Sequence, residues 1–208
     1  MQNLEEYNAV YLCGTVEDTP VCDHVLYGES FYTFMLSVAR LSGVNDLLPV
    51  TLPGRVAMIP QKKDRIVVEG QLRSYKKHFE NGSRLFVTVF AKKISYALRE
   101  DENRIELSGF LCRPVVFRTT PFLREISDML LAVNRPYSKS DYIPCIAWGR
   151  NARFARDFSV GTELHISGRL QSRLYTKTLP NGETAQRTTY EVSCTSIAAF
   201  ETDTDHIV

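Results

Sequence analysis

The sequence has no long apolar segment. Its 208 residues are 44% hydrophobic and 24% charged, which is typical of a soluble globular protein. No run approaches the ~20 apolar residues that a membrane-spanning helix requires. The first ten residues, MQNLEEYNAV, also lack the basic region followed by an apolar region that marks a secretion signal. We therefore expect a cytoplasmic protein that has no membrane partner.

Cysteine and histidine are scarce, and neither is spaced for a metal site. The four histidines share no spacing with acidic residues or cysteines that suggests metal ligands, and no C-x-x-C pair occurs. An odd number of cysteines in strand-like segments predicts buried apolar thiols rather than disulfides. These residues are Cys13, Cys22, Cys112, Cys145 and Cys194. We expect no metal and no other cofactor.

The motifs of common enzyme classes are missing as well. The sequence contains no glycine-rich phosphate-binding loop, no H-x-E motif with a downstream cysteine pair and no G-x-S-x-G motif. Each of these motifs places a nucleophile, a phosphate or a metal-bound water at a reacting centre. We therefore expect a protein that is not an enzyme.

Positive charge is not in overall excess, but it is concentrated in the second half of the chain. The formal net charge is +1, divided into −1 for residues 1–102, +5 for residues 103–200 and −3 for residues 201–208. Binding to phosphates depends on local basic grooves rather than on total charge. The second half is therefore the better candidate for a nucleic-acid-binding surface.

The sequence does contain an internal repeat, with a shift of 95 residues. This shift aligns residues 34–57 with 129–152 without a gap, and eight of these 24 pairs are identical, where ordinary composition gives about one or two. GQLRS at 70–74 then matches GRLQS at 168–172 after a three-residue insertion. Such a repeat indicates a duplicated domain. We predict domains at residues 1–99 and 103–200, followed by a short acidic tail at 201–208.

Each copy has the pattern of a small β-barrel. The predicted strands span residues 8–16, 31–40, 65–75 and 84–94 in the first copy and 103–111, 126–135, 141–148, 163–175 and 188–197 in the second. Short helices are predicted only around residues 150–157 and at the equivalent 55–59. This pattern fits the OB-fold, a five-stranded Greek-key barrel, although an SH3-like or immunoglobulin-like module has a similar strand count. We predict an all-β protein of two tandem OB-fold barrels.

Three blocks of the second copy form a pattern that is typical of one family. They are NRIELSGFLCRPV at 103–115, LLAVNRPYSKSDYIPCIAWGRNARFA at 130–155 and GTELHISGRLQSRLY at 161–175. In this pattern the second copy resembles the bacterial single-stranded DNA-binding protein family. The first copy keeps the scaffold but has Leu47 in place of Tyr142 and Pro53 in place of Trp148. The resemblance implies non-specific binding of single-stranded DNA during replication, recombination or repair.

The resemblance also implies a set of site residues in the second copy. Non-specific binding combines a cationic groove with aromatic faces, and each stacked base contributes ~1–3 kcal/mol. The stacking aromatics that it implies are Tyr137, Tyr142, Trp148 and Tyr175. The interleaved cations, which we expect to contact phosphates, are Arg135, Lys139, Arg150, Arg153, Arg169, Arg173 and Lys177. Arg169, Gln171, Arg173 and Tyr175 are predicted to alternate onto one face of a strand.

The first copy retains a smaller set of such residues. They are Arg40, Arg55, Arg73, Tyr75, Lys76 and Lys77, and we take Tyr75 as the counterpart of Tyr175. We expect the first barrel to be mainly a scaffold and dimerisation partner with a residual basic strip around residues 73–78.

The resemblance implies partners as well. Family members usually assemble four barrels, so two barrels per chain predict a homodimer. Their acidic tip with terminal hydrophobic residues recruits replication and repair proteins; here DTDHIV at 203–208 is acidic and ends in two apolar residues, and such a peptide could dock in a basic-rimmed pocket. A frayed chain end is the alternative.

For the whole chain, the alternatives are a primosomal or replication-restart OB protein and a structural or oligomerisation module that binds no nucleic acid. The sequence does not separate DNA from RNA as the ligand.

Overall fold

The computed structural model describes residues 8–56, 58–79, 82–178 and 182–200. These residues form twelve β-strands and one short helix, and the strands join into a continuous sheet that curls into two barrels. The prediction of two tandem OB-fold barrels is thereby confirmed. Within the described ranges, no helix has the length and apolar character to cross a membrane.

The first barrel is a ring of five strands with a sixth strand on its edge. The strands are β1 (Asn8–Val16), β2 (Val21–Leu26), β3 (Glu29–Ala39), β4 (Asn45–Pro53), β5 (Arg65–Phe79) and β6 (Gly82–Tyr96). β3 pairs with β1 and β4, and β5 pairs with β1 and β6. A short parallel pairing between β4 and β6 closes the ring, and β2 extends β3 as a hairpin. This is the Greek-key connectivity of the OB-fold.

The second barrel repeats this topology with one added helix. Its elements are β7 (Glu102–Leu111), β8 (Val116–Thr119), β9 (Glu125–Arg135), β10 (Lys139–Trp148), α1 (Arg150–Ala155), β11 (Glu163–Thr178) and β12 (Thr184–Phe200). A parallel pairing of β10 with β12 closes the ring, as β4 with β6 does in the first barrel. The connectivity excludes the immunoglobulin-like alternative, which requires two separate sheets.

One of the two predicted helices is present. The prediction around residues 150–157 is confirmed by α1, which buries Ala152 and Ala155 against the core. The prediction at residues 55–59 is wrong, because the described residues there form a turn in which the Val56 N–H donates to the Pro53 carbonyl. Pro53 and Pro60 bracket this segment, and proline interrupts helical hydrogen bonding.

Three strands were not predicted. Strand β4 contains Pro49 and Pro53, which interrupt a strand pattern, and β2 and β8 lie at the edges of the sheet. All six residues of β2 are exposed, and none of the four in β8 is buried, so neither strand has an alternating apolar pattern. The edge position of β2 also explains why Cys22 is not buried. Cys13, Cys145 and Cys194 are buried as predicted, whereas Cys22 on β2 is exposed and Cys112 is half-buried.

The repeat is visible in the core as matched buried residues. Equivalent positions carry fully buried aliphatic side chains in the two barrels, namely Leu12 and Leu107, Leu36 and Leu131, Leu48 and Ile143, and Leu72 and Leu170. Asn8 exchanges two hydrogen bonds of 2.8 Å with the Leu72 backbone, and its equivalent Asn103 exchanges two with the Leu170 backbone. These amides therefore position β5 and β11 in the same way.

The barrels are joined by the pairing of β1 with β7, and an approximate twofold axis relates one barrel to the other. The two strands pair in antiparallel fashion, with Val10 opposite Ile105. These residues are themselves equivalent under the 95-residue shift, so the axis passes between them. The sheet consequently runs without a break from β5 through β1 and β7 to β11.

Candidate nucleic-acid interface

Strand β10 places Tyr142 and Trp148 on the outer surface of the second barrel. The strand directs Ile143 and Cys145 into the core, where both are buried. Tyr142 and Trp148 are an even number of residues apart, so they share the outer face. They are 41% and 38% exposed, respectively, and both rings are therefore accessible for stacking.

Strand β11 presents the predicted row of alternating side chains beside this face. The row consists of Arg169, Gln171, Arg173 and Tyr175. Its first member lies opposite Ser193 on β12, and Ser193 is next to Ile146 on β10. Because Ile146 is an even number of residues from Tyr142 and Trp148, the row and the two aromatic residues belong to one surface.

Glu191 underlies this row and balances part of its charge. Its carboxylate accepts hydrogen bonds from Arg173 at 3.0 and 3.1 Å and from Gln171 at 2.9 Å. The hydrogen bond with Glu191 raises the pKa of Arg173. About half of the Arg173 side chain remains exposed, so its other N–H groups are free to reach a phosphate.

Tyr137 lies at the turn between β9 and β10. Its φ of 65° is in the left-handed region and the residue is 94% exposed. Arg135 and Lys139 are cross-strand neighbours on either side of the turn. The ring is therefore not part of the core, and it projects from a hairpin that has basic residues at its base.

The basic residues around α1 are in unequal environments. Arg150 is the first residue of the helix and is exposed. Arg153 forms an ion pair with Glu125, which limits its availability for phosphate. The side chain of Lys177 and the tail at 201–208 lie outside the described residues.

Two of the predicted phosphate-binding arginines instead meet a buried carboxylate at the junction of the barrels. Asp46 at the start of β4 accepts two hydrogen bonds from Arg40 at 2.6 and 2.7 Å and one from Arg169 at 3.3 Å. It also accepts hydrogen bonds from the Ser172 backbone N–H and hydroxyl, at 2.7 and 3.0 Å. Arg169 and Ser172 belong to the second barrel, so Asp46 connects the two barrels.

Burial alone would raise the pKa of the Asp46 carboxyl. The hydrogen bonds from Arg40 and from the Ser172 backbone and hydroxyl outweigh this effect and hold the pKa below its usual value. Asp46 is therefore ionised at neutral pH, and it neutralises much of the charge of Arg40 and Arg169.

Asp141 plays the equivalent role on the other side of the twofold axis. Its buried carboxylate contacts Arg73 at 3.1 Å and Arg135 at 3.4 Å, and it accepts a 2.6 Å hydrogen bond from the Ser74 N–H. The Ser74 hydroxyl in turn accepts a 2.7 Å hydrogen bond from the Tyr142 N–H. Three of the predicted phosphate contacts, Arg40, Arg73 and Arg169, thus also bond across the two barrels, whereas Arg135 contacts Asp141 within the second barrel.

The basic strip of the first barrel is largely where it was expected. Tyr75, Lys76 and Lys77 lie on the exposed end of β5, whereas Arg55 forms a 2.5 Å ion pair with Glu29.

The predicted equivalence of Tyr75 with Tyr175 is wrong. Each long strand has a bulge at its matched glycine, Gly70 or Gly168, and counting from these glycines makes Arg173 the counterpart of Tyr75 and Lys77 the counterpart of Tyr175.

Three aromatic residues on the first barrel, namely Phe31, Phe86 and Phe90, were not predicted from the sequence. Phe31 on β3 and Phe90 on β6 have ring centroids 6.4 Å apart, and Tyr75 stacks on Phe86 at 5.4 Å with an interplanar angle of 10°. The repeat could not reveal this group, because its members do not align with the aromatic residues of the second copy. The even spacing of Phe86 and Phe90 on β6, which places both on one side of the strand, was the available signal.

The described part of the chain contains no cluster of three or more His, Cys, Asp or Glu residues that could hold a metal ion. The candidate surface itself is built from aromatic rings, guanidinium groups and lysines. Such a surface binds ligands by stacking and by charge.

Comparison with known proteins shows which proteins the second barrel is similar to. The family model of the single-strand binding protein family matches residues 102–200, and these residues contain β7 to β12. Single-stranded DNA-binding protein 1 of Staphylococcus aureus is 33% identical over 106 residues, which are 48% of this chain and 61% of that protein. The protein of Halalkalibacterium halodurans is 34% identical over 80 residues, 35% of this chain and 48% of its own length. The chain thus spans about half to three-fifths of these relatives.

The similarity to a solved structure extends over both barrels. The wild-type single-stranded DNA binding protein from Thermus aquaticus superposes with a TM-score of 0.74 at 25% identity, covering 97% of this chain and 96% of that one. The relatives are named as DNA-binding proteins and not as enzymes, which agrees with the prediction that this chain is not an enzyme.

Proposed function

We propose that this chain, whose residues 102–200 match the model of the single-strand binding protein family, binds single-stranded DNA on the outer face of its second barrel. The observation that carries the proposal is the shared surface of Tyr142, Trp148 and the β11 row. Unstacked bases stack on aromatic side chains whatever their identity, because every base has a π-face. Binding without sequence preference follows from such a surface.

The cations of this face divide into two groups by their surroundings. Arg150 and Lys139 are exposed, whereas Arg135 and Arg169 contact buried carboxylates. We assign the principal phosphate contacts to Arg150, Lys139 and Arg173, and we assign Arg135 and Arg169 mainly to positioning the face. Lys177 remains a predicted phosphate contact.

A fluorescence titration tests the proposal directly. Trp148 is the only tryptophan, so its emission reports on this face. We expect oligo(dT) to quench the emission, and we expect the affinity to fall as salt rises because bound phosphates release counterions. If oligo(dT) does not quench the Trp148 emission, and the protein does not shift labelled oligo(dT) at low salt, the proposal is contradicted. That result favours a structural or oligomerisation module.

Variants assign the aromatic residues, and oligo(U) tests ligand preference. The double variant Tyr137→Ala/Tyr175→Ala removes two stacking contacts, each of which contributes ~1–3 kcal/mol to binding. Its affinity for oligo(dT) should therefore fall at least about tenfold. Undiminished affinity removes these two residues from the site. A parallel salt titration with oligo(U) determines whether RNA binds equally well.

The biological setting is part of the same proposal. We propose that the protein acts on single-stranded DNA in the cytoplasm during replication, recombination or repair. Recruitment of replication and repair proteins through the acidic tail at 201–208 and a homodimer of four barrels remain predictions.

A further inference from the structure

We propose that the first barrel carries its own base-stacking surface, built from aromatic residues on other strands than those used by the second barrel. We name Phe31, Tyr75, Phe86 and Phe90 the displaced aromatic face. The proposal rests on the proposed function, because it concerns the same ligand, single-stranded nucleic acid.

The displaced aromatic face compensates for a proline. The second barrel has Trp148 at the end of β10, whereas the equivalent residue at the end of β4 is Pro53. Phe31 lies directly opposite Pro53 on the neighbouring strand β3. An aromatic ring is therefore present at the same end of the barrel, one strand away from its position in the second barrel.

Strand β6 supplies two further rings on the same outer surface. Phe90 is next to Thr51 on β4 and opposite Gln71 on β5, and Phe86 is opposite Tyr75. Phe86 and Phe90 are separated by four residues, so they point to the same side of the strand. Tyr75 is more than half exposed and the three phenylalanines are half-buried, which leaves ring surface for stacking with a base.

Each aromatic pair has a guanidinium nearby. Arg55 and Arg73 lie 6.0 and 5.8 Å from the Phe90 ring centroid, and Arg84 lies 4.9 Å from that of Phe86. Cations at this distance interact with the ring faces, and the exposed Lys76 and Lys77 on β5 provide donors for phosphate oxygens. The first barrel thus combines the two elements of a non-specific single-strand site, aromatic faces and positive charge.

The second barrel completes one end of this surface. A groove of about 360 Å³ is lined by Tyr75, Arg84 and Phe86 of the first barrel and by Thr188 and Tyr190 of the second. Arg84 also donates a hydrogen bond to the Thr188 carbonyl, which holds the two sides together. The groove lies in the lower part of the size range of small-ligand pockets, and its aromatic and cationic lining fits a base with its phosphate.

The charges around the groove indicate the path of the backbone. Asp18 and Asp23 line one side, whereas Lys76 and Lys77 are exposed on the ribbon that carries Tyr75. Phosphates are repelled by the carboxylates and attracted by the ammonium groups. The sugar–phosphate backbone is therefore expected to follow the lysine side.

Photochemical cross-linking to the unaltered chain is the first test. Oligo(dT) of about 30 nucleotides, longer than the ~4–16 that one OB-fold binds, is irradiated in complex with the protein and the adducts are mapped by mass spectrometry. We expect adducts in peptides from β5 and β6 as well as from β10 and β11. Adducts confined to the second barrel overturn the inference and leave the proposed function intact, whereas absence of any complex contradicts both.

A pair of variants provides the second test. In Phe86→Leu/Phe90→Leu the apolar volume is largely kept and the stacking surface is lost, so affinity for the long oligo(dT) should fall about tenfold for each base stack lost. Affinity for an oligo(dT) of about 8 nucleotides, which the second barrel can hold alone, should be unchanged. Phe200→Leu, at an exposed phenylalanine at the end of β12, is the control. Equal affinities of the double variant and the control for the long oligonucleotide contradict the inference.

Discussion

At the scale of single residues, Asp46 has an unusually large number of partners. Its carboxylate accepts hydrogen bonds from Arg40, Arg169 and Ser172, and almost none of it is exposed. Removing one member of a buried ion pair leaves the remaining charge without its partner, which costs more than an exposed pair contributes. The stability of the junction between the barrels should therefore depend strongly on this residue.

Asp46→Asn should lower the free energy of unfolding by about 3 kcal/mol at neutral pH. The folded-state pKa of Asp46 is lowered, so its contribution to stability is present above the unfolded pKa of about 3.9 and is lost as the pH falls toward the folded value. The difference between wild type and variant should accordingly shrink below about pH 4. Urea denaturation at several pH values measures this difference.

Asp157→Asn is the control for this prediction. Asp157 pairs with Arg156 on the surface, and most of its side chain is exposed, so its replacement should change stability by less than about 1 kcal/mol. Equal effects of the two substitutions would show that Asp46 does not stabilise the junction.

At the scale of elements, the bulges in β5 and β11 give each long strand its bend. Both bulges occur at the matched glycines, and a Cβ added at Gly70 would collide with the Phe90 carbonyl oxygen, as one at Gly168 would with that of Ser193. A bulge at glycine allows two backbones to approach closely. The bend directs the ends of β5 and β11 toward the opposite barrel, where Ser74 and Ser172 meet Asp141 and Asp46.

Gly70→Ala should therefore destabilise the first barrel by about 2 kcal/mol, in the range of other overpacking substitutions. The expected observation is a lower urea midpoint. Ser83→Ala, at an exposed position on β6, should leave the midpoint unchanged. A midpoint for Gly70→Ala equal to that of wild type would mean that the strand can shift to accommodate the methyl group.

How far the sequence predicts the elements depends on burial. Most strands with one buried face were predicted, because an apolar residue at every second position leaves a readable pattern. Strand β4 also has a buried face but was missed, because Pro49 and Pro53 interrupt its pattern. Strands β2 and β8 have no buried residues and were missed for that reason. The partners of Arg169 were hidden for a different reason, since Asp46 is 123 residues away and meets it only after both barrels have formed.

The candidate site was predicted to a different extent in each barrel. The positions of Tyr142 and Trp148 follow from the resemblance and from the strand period, and the fold places both on one surface. Phe31 and Phe90 lie on strands that are not adjacent in the chain, and only the closure of the barrel brings their rings to 6.4 Å. Predicting contacts of this kind requires knowledge of the strand order, which the repeat alone does not provide.

At the scale of the whole molecule, each chain contains one pair of barrels. The β1–β7 pairing joins them inside a single polypeptide, so an assembly of four barrels needs a second copy. We expect sedimentation equilibrium to give a mass near twice the 23.7 kDa of the chain. A mass equal to that of one chain contradicts the homodimer but leaves the binding surfaces described above unchanged.

The twofold relation at Val10 and Ile105 has a consequence for a ligand with direction. A nucleic acid strand has distinct 5′ and 3′ ends, whereas rotation about the axis reverses the direction of a path that runs perpendicular to it. A strand that takes the shortest route between the two faces therefore meets one of them in the 5′ to 3′ sense and the other in the 3′ to 5′ sense. Two identical faces would present opposite polarities to such a strand, whereas the two barrels of this chain carry aromatic residues at different positions.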